Sequence, residues 1–446
     1  MSDSVIRCGP ETNNFRYKTM MVYLVILIGA GLLPTLILRA MGLENGFWLI
    51  ANLWRGEGGG DSWGAITKAL QYLDTHGADQ FYEMVYYNSG HQFIYSPLSL
   101  IFYRVTQFPP LIDWYSQDRM NSVSWWVMLA MILVMTLTMR KTIMKYGRSN
   151  AAPTVIQMIG LTLLAIIAVS AFAPINSAIR HGQIQTWLDL LAMLSLFLLI
   201  IDRRLASGIV IGLAAIVKPQ LGVMLAWAAL RRDWRFLAGG LIPIVVFGTA
   251  SLMDYGWKIH SDYLSLLLFL SGRGESYIGN QSINGLLNRM FFLGPNVTFE
   301  PTHSHMIYSG WVHAATSISS AAMVLAALLI RSPRNTLAGT LDFCTALLVC
   351  TVASPIAYGH HYGLILPVWW LALLSIRSSE QPNVRLYGLL ALSYLPLAND
   401  MDASMVFADS HWNFLESTPL FGALLLLFLL YRLRLGSERF AVFAAA

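Results

Sequence analysis

Gly58-Gly59-Gly60-Asp61-Ser62-Trp63 is the point where the chain leaves its first long apolar run and turns polar. The run before it, residues 20–40, follows Arg16 and Lys18 and is long enough to cross a bilayer. It is too long for a signal-peptide core, and Arg39 stands where small cleavage-site residues belong, so it reads as an uncleaved first span. After the glycines, Trp63, Ile66, Leu70 and Leu73 recur at helical spacing. That pattern predicts a short amphipathic helix with one face in the membrane interface and the other in water. Asp61 opens this helix. It can be a cap for a free backbone N–H, worth about 1 kcal/mol, or a catalytic base held at the membrane surface. Position alone leaves both open.

Composition makes the chain an integral membrane protein. Of 446 residues, 56% are hydrophobic and 12% charged, against about 25% charged in soluble domains. The net charge of +5 is not a nucleic-acid signal, because the basic residues are scattered in short clusters between apolar runs. Cys8, Cys344 and Cys350 have no metal spacing, and the last two sit in an apolar run as packing residues do.

Residues 41–94 form a polar excursion in which Glu44, Glu57, Asp61, Asp74, Asp79 and Glu83 outnumber Arg55 and Lys68, which predicts an outer location. Residues 95–112, interrupted by Arg104 and Pro109-Pro110, can be a full span or a re-entrant segment. Residues 122–139 end in Arg140, Lys141, Lys145 and Arg148, a cytoplasmic signature. The apolar stretch 205–230 carries arginines at both ends and is broken by Lys218-Pro219-Gln220. It reads as a hairpin of two half-length helices with Lys218 near its tip, where a lysine is costly and either functional or snorkelling. A second outer excursion is expected at 254–306, followed by spans near 307–330, 338–353, 361–376, 384–399 and 418–435. The hydropathy pattern thus predicts one all-α polytopic domain over 1–446, with about ten to twelve spans and both termini cytoplasmic. No repeat and no ladder of midplane charges suggests a transporter; the unusual polar motifs gather on the outer side.

Beside Asp61, four outer motifs can converge. These are Arg180-His181-Gly182-Gln183, Lys218 at the hairpin tip, Asn280-Gln281-Ser282, and His360-His361. Each is weak alone, and a lone histidine at a helix start is commonly an interfacial residue. Adjacent histidines point about 100° apart on a helix, so the pair is a poor metal site, and no H-x-x-x-H spacing supports zinc. Two glycosylation sequons, at Asn280 and Asn296, carry weight only in a host that glycosylates this side.

In order and motif the chain resembles glycosyltransferase family 87, the polyprenol-phosphate-mannose-dependent mannosyltransferases. The acidic loop holding Asp61, then Tyr95-Ser96-Pro97, is similar to that family's acidic loop and Tyr-Pro-Pro. His181-Gly182-Gln183-Ile184-Gln185 is similar to its Gly-Gln-x-Asn. Residues 208–219 (GIVIGLAAIVKP) with Arg231-Arg232-Asp233-Trp234 resemble its Gly-x-x-x-Gly-Leu-Ala-x-x-x-Lys-Pro and Arg-Arg-x-Trp. Asn280-Gln281-Ser282 and the segment from Ser354-Pro355 to His360-His361 match two more. Ser96 replaces the family's first proline, and Gln185 stands where Asn is usual.

The resemblance implies the multi-span GT-C fold in the cytoplasmic membrane, working on the outer face. It implies an inverting transfer of a hexose, mannose first, from a polyprenyl-phosphate donor to a glycan or glycolipid acceptor. No metal or cofactor is needed, because a phosphate monoester is already a good leaving group. Asp61 would be the general base. Lys218, Arg180, His360 and His361 would stabilise the leaving phosphate. Tyr95, His181, Gln183, Asn280 and Gln281 would contact substrate. The same chemistry with glucose or arabinofuranose, a lipid-linked glycan flippase, or a ligase using a lipid pyrophosphate are the alternatives.

Overall fold

A computed structural model describes residues 10–41, 59–88, 93–106, 115–147, 152–294, 296–298, 307–334, 336–379, 383–399 and 402–444. Glu44, Glu57, Gly58, Pro109-Pro110, Arg148, His303 and Cys8 lie outside them. Among the described residues every named element is helical, and strand-like pairing is limited to isolated bridges at Gly274–Ile307 and Asn280–Tyr358. The all-α reading holds.

The interior is built on two helices, α1 (Leu337–Val352) and α2 (Leu366–Ser378). From Thr340 to Val352, and from Leu366 to Leu374, no side chain is exposed. A helix apolar all round has to be covered all round, and these two are enclosed by their neighbours. Their tryptophan N–H groups are satisfied: Trp370 donates to Thr142 (2.8 Å) and Trp369 to Ser393 (3.0 Å). Peripheral helices show the opposite pattern. Trp234–Gly272 exposes Leu241, Ile242, Val245 and Val246, and Gly310–Leu329 exposes Trp311, Ile318, Leu325 and Leu329. Aliphatic belts of this extent are a surface for lipid. The protein is a multi-pass membrane protein.

The span count differs from the hydropathy reading. Among the described residues, five helices are long and apolar enough to cross a membrane, or six when Val155–Ser170 and Ala173–Arg180, bent by 56°, are taken together. Others, such as Gln185–Ile200 and Leu337–Val352, have 16 residues. That is about 24 Å of helix against about 30 Å of hydrocarbon. Hydropathy counts the 3-10 turns and bends flanking these helices as part of a span. Pro97–Thr106 has only 10 residues, so this part of 95–112 does not cross as a helix. The second excursion is also not all loop. The helix Trp234–Gly272 breaks at Gly256 (φ 71°) and resumes as an amphipathic stretch, burying Ile259, Tyr263 and Leu266 while exposing Trp257, Leu264 and Leu268.

The hairpin is present: α3 (Arg204–Val217), a 3-10 turn Pro219–Gly222, and α4 (Val223–Leu230), with Lys218 at the break. Its two ends are joined by Arg204 and Asp233 (3.1 Å). The glycines set its position. A Cβ at Gly208 would strike the Phe236 carbonyl, one at Gly212 the Gly240 carbonyl, and one at Gly239 the Leu205 carbonyl. The Gly-x-x-x-Gly stretch is therefore a small-residue seam that brings α3 against Trp234–Gly272.

Candidate active site

The site begins with the glycine run. Its backbone lies along the turn after Arg180: Gly59 N–H donates to the Arg180 carbonyl (2.5 Å), Asp61 N–H to His181 (3.0 Å) and Ser62 N–H to Gly182 (3.1 Å). Gly182 holds φ 64°, and a Cβ on it would meet the Gly59 carbonyl. Both the left-handed backbone and the close approach require glycine there.

The helix Asp61–His76 starts as predicted, but Asp61 does not cap it. Gly60 occupies the cap position, Asp61 is the first helical residue, and no side-chain cap bond forms. The Asp61 carboxylate is exposed and accepts a hydrogen bond from Gln183 Nε2 at 3.1 Å. The apolar face of the helix also differs from expectation. Trp63, Ile66, Leu70 and Leu73 are buried within the protein rather than laid on the membrane interface, with Trp63 packed on Tyr115 and Trp187. This makes the helix a rigid support for Asp61.

Behind the carboxylate stands Ser62, which sequence reasoning did not single out. Its hydroxyl is 2.9 Å from Gln183 Oε1 and 2.6 Å from the Tyr95 hydroxyl, and accepts from Ile184 N–H at 3.0 Å. Burial pushes the Tyr95 hydroxyl up to about 12, with the Ser62 hydrogen bond pulling the other way, so it keeps its proton. The next residue, Ser96, donates to the Ile216 carbonyl, two residues before Lys218. A proline at that position has no proton to give, so this departure from the family pattern has a structural use.

Lys218 Nζ donates to Gln185 Oε1 (2.7 Å), and Gln185 Nε2 donates to the fully buried Asp189 (2.7 Å). One turn therefore carries two glutamines aimed in opposite senses. Gln183 presents its NH₂ to an acid; Gln185 presents its oxygen to a base. Asp189, absent from the residues picked out by motif, carries a sequence signal of its own, a carboxylate inside an apolar helix. A small, open pocket, with room for about one water molecule, is lined by Gln185, Lys218, Thr351, Ser354 and His361.

His360 and His361 sit on a 3-10 helix, Gly359–Ile365. The His360 ring stacks on Tyr358 (5.7 Å) and lies 6.5 Å from the His181 ring. Burial first, then the charge of Lys218, hold both imidazoles well below the ordinary histidine range. That direction favours the uncharged imidazole, which can still donate a hydrogen bond to a phosphate. His181 and Arg180 are exposed, and it is their carbonyls that the glycine run uses.

Asn280 and Gln281 depart from the expectation of substrate contact. Asn280 is fully buried; its Oδ1 accepts from Ala357 N–H (3.1 Å) and its Nδ2 donates to the Glu275 carbonyl (3.2 Å). Gln281 Nε2 donates to the carbonyls of Ile278 (2.6 Å) and Glu416 (2.9 Å). The Tyr362 hydroxyl donates to the Gln281 carbonyl at 2.7 Å. The Asn280 side chain and the Gln281 backbone N–H, which donates to the Ala357 carbonyl (2.7 Å), brace the turn that carries the two histidines, while the Gln281 side chain ties this loop to Ile278 and Glu416. Tyr358 adds to this brace by donating to the buried Glu275 (3.0 Å). Among the described residues, no three His, Cys, Asp or Glu side chains converge as metal ligands do.

The arrangement offers an exposed carboxylate, a lysine and two histidines around the segment 180–185. No curated protein and no solved structure matches the chain. Residues 93–355 match the model of glycosyltransferase family 87. Tyr95, Arg180, His181, Gln183, Lys218, Asn280 and Gln281 fall inside the matched stretch, while Asp61, His360 and His361 lie outside it. With more than half of its length so matched, the chain is a member of glycosyltransferase family 87, a membrane glycosyltransferase.

Proposed function

We propose that the protein transfers a hexose, mannose first, from a polyprenyl-phosphate carrier to a glycan or glycolipid acceptor at the outer face of the cytoplasmic membrane. The observation that carries this reading is the hanging of an acid and a base from one turn: Asp61 on Gln183 and Lys218 on Gln185. Asp61, exposed and fixed at one oxygen, takes the proton of the acceptor hydroxyl as that oxygen attacks the anomeric carbon. The glycosidic bond to phosphate breaks through an oxocarbenium-like state, with inversion. Charge growing on the departing phosphate is met by Lys218, with His361 of the same pocket as a hydrogen-bonding neighbour.

The test is a donor series in proteoliposomes containing purified protein. Undecaprenyl-phosphate mannose, glucose and arabinofuranose are each offered with octyl α-mannoside as acceptor. Transfer from the mannose donor, persisting in EDTA, is the expected result. Preference for another sugar would change the sugar assigned, and acceptor-independent lipid translocation without transfer would turn the reading to a flippase.

A further inference from the structure

We propose that Ser62 and Tyr95 are positioning residues, which act through Gln183 to hold the Asp61 carboxylate in its reacting orientation. The inference rests on the reading of Asp61 as the general base. An ionised carboxylate only accepts hydrogen bonds, so the Gln183 amide must turn its NH₂ to Asp61, where Nε2 and Oδ2 are 3.1 Å apart. That leaves Gln183 Oε1 facing the Ser62 hydroxyl at 2.9 Å, and an amide oxygen cannot donate. Ser62 therefore gives its single proton to Gln183. Its lone pairs then receive Ile184 N–H at 3.0 Å and the Tyr95 hydroxyl at 2.6 Å, which must be the donor. One assignment of protons satisfies all of these groups. A flipped Gln183 amide would set its oxygen against the carboxylate, and Ser62, receiving the NH₂, would have to turn its proton to the Tyr95 oxygen, leaving the buried Tyr95 O–H without its acceptor.

Burial enforces the choice. Ser62 is 2% and Tyr95 6% exposed, so water does not readily replace a missing partner, and a buried polar group left unpaired costs roughly 1–3 kcal/mol. The hydrogen bonds from Asp61 and Ser62 N–H to the carbonyls of His181 and Gly182 fix the backbone on the same turn. Oδ2 is thereby committed, and on this exposed residue Oδ1 takes no hydrogen bond from the described residues. Remote groups that hold a reacting atom matter because a displacement near 1 Å can cost about a hundredfold in rate.

The experiment compares Ser62→Ala, Tyr95→Phe and Asp61→Asn, with the two double variants carrying Asp61→Asn, in the transfer assay with undecaprenyl-phosphate mannose and octyl α-mannoside. Ser62→Ala is expected to lower kcat by roughly ten- to a hundredfold with both KM values unchanged. Tyr95→Phe keeps the ring and removes only the hydroxyl, so it serves if Ser62→Ala folds poorly; a smaller fall, again in kcat alone, is expected. In the Asp61→Asn background neither change should lower the residual rate further, because the group they position is gone. Wild-type kcat in both single variants beside an inactive Asp61→Asn overturns the positioning role and leaves the base in place. A loss carried by KM, or one that multiplies fully onto Asp61→Asn, also overturns it. Full transfer by Asp61→Asn instead removes the base reading itself.

Discussion

At the scale of single residues the question is which side chains act on the reacting atoms and which hold others in place. Asp61 takes one hydrogen bond from Gln183 and is otherwise open, as a proton acceptor has to be. Asp61→Asn keeps the shape and alters no cap, since Gly60 is the cap residue. Expression and thermal stability in detergent are therefore expected to match wild type, while transfer falls by roughly 10²–10⁴. Near-normal transfer by the folded variant would move attention to Glu57. Among the described residues Lys218 donates one hydrogen bond, to Gln185, leaving protons for an anion. Lys218→Met is expected to raise the donor KM or lower kcat with it, and to leave the acceptor KM alone. Lys218→Arg should recover part of the loss, because a cation remains. Unchanged donor kinetics in Lys218→Met would return the lysine to a snorkelling role.

At the scale of elements, the hairpin holds Lys218 where it is because three glycines let two backbones meet. Gly212→Leu puts a side chain into the Gly240 carbonyl and the Pro243 ring, and helices in lipid have little other than packing to hold them together. The variant should give a lower yield of monodisperse protein and a reduced melting temperature. Overpacking of this kind costs roughly 1–3 kcal/mol. Gly222→Ala, at a site with nothing within 4 Å of the added atom, is the control and should behave as wild type. Equal stability of the two variants would mean that the seam does not set the hairpin's position. The Asn280-Gln281 brace belongs to this scale too: two amides that look like sugar ligands in the sequence are spent on backbone groups, Asn280 on Ala357 and Glu275, Gln281 on Ile278 and Glu416.

At the scale of the whole molecule, the end opposite Asp61 is locked by a buried ion triad. Asp342 receives Arg231 through both oxygens (2.8 Å each) and Arg434 at 2.5 Å, with Trp227 N–H at 3.2 Å. Arg231 also donates to the carbonyls of Ala327 (2.9 Å) and Ile330 (3.0 Å). The triad fastens the hairpin, the helix Gly310–Leu329, the central helix Leu337–Val352 and the last helix to one another. Asp342→Ala leaves two buried guanidinium groups without their anion and should cost roughly 3–5 kcal/mol, read as a large fall in melting temperature in detergent. Replacing the triad together with Arg231→Met, Asp342→Leu and Arg434→Met should be milder, since no charge is stranded. The arginine-rich end is expected to face the cytoplasm. A single cysteine at exposed Asp79 should react with an impermeant maleimide on intact cells, and one at exposed Arg203 only after permeabilisation. The reverse pattern would invert the topology.

The class of the protein, the hairpin broken at Lys218, and the helix opened by Asp61 were legible in the sequence. Each depends on local quantities: apolar length, a basic residue in an apolar run, and 3.6-residue periodicity. Span number was legible less well, because hydropathy records which residues are apolar and not where the backbone bends or tightens into 3-10 turns. The site required the tertiary structure. Nothing local distinguishes Gln183 from Gln185, or Asn280 from either. An amide both donates and accepts, and its sense is set by the partner on its far side. For Gln183 that partner is Ser62, 121 residues away; for Gln185 it is Asp189, four residues along the same helix. Asp61 and Ser62 are neighbours in the chain, yet one is exposed and the other buried, because the helix that carries them turns one face to solvent and the other into the protein. Sequence spacing named the residue types that the chemistry requires. Long-range packing decided which of them are free to perform it and which keep the others in place.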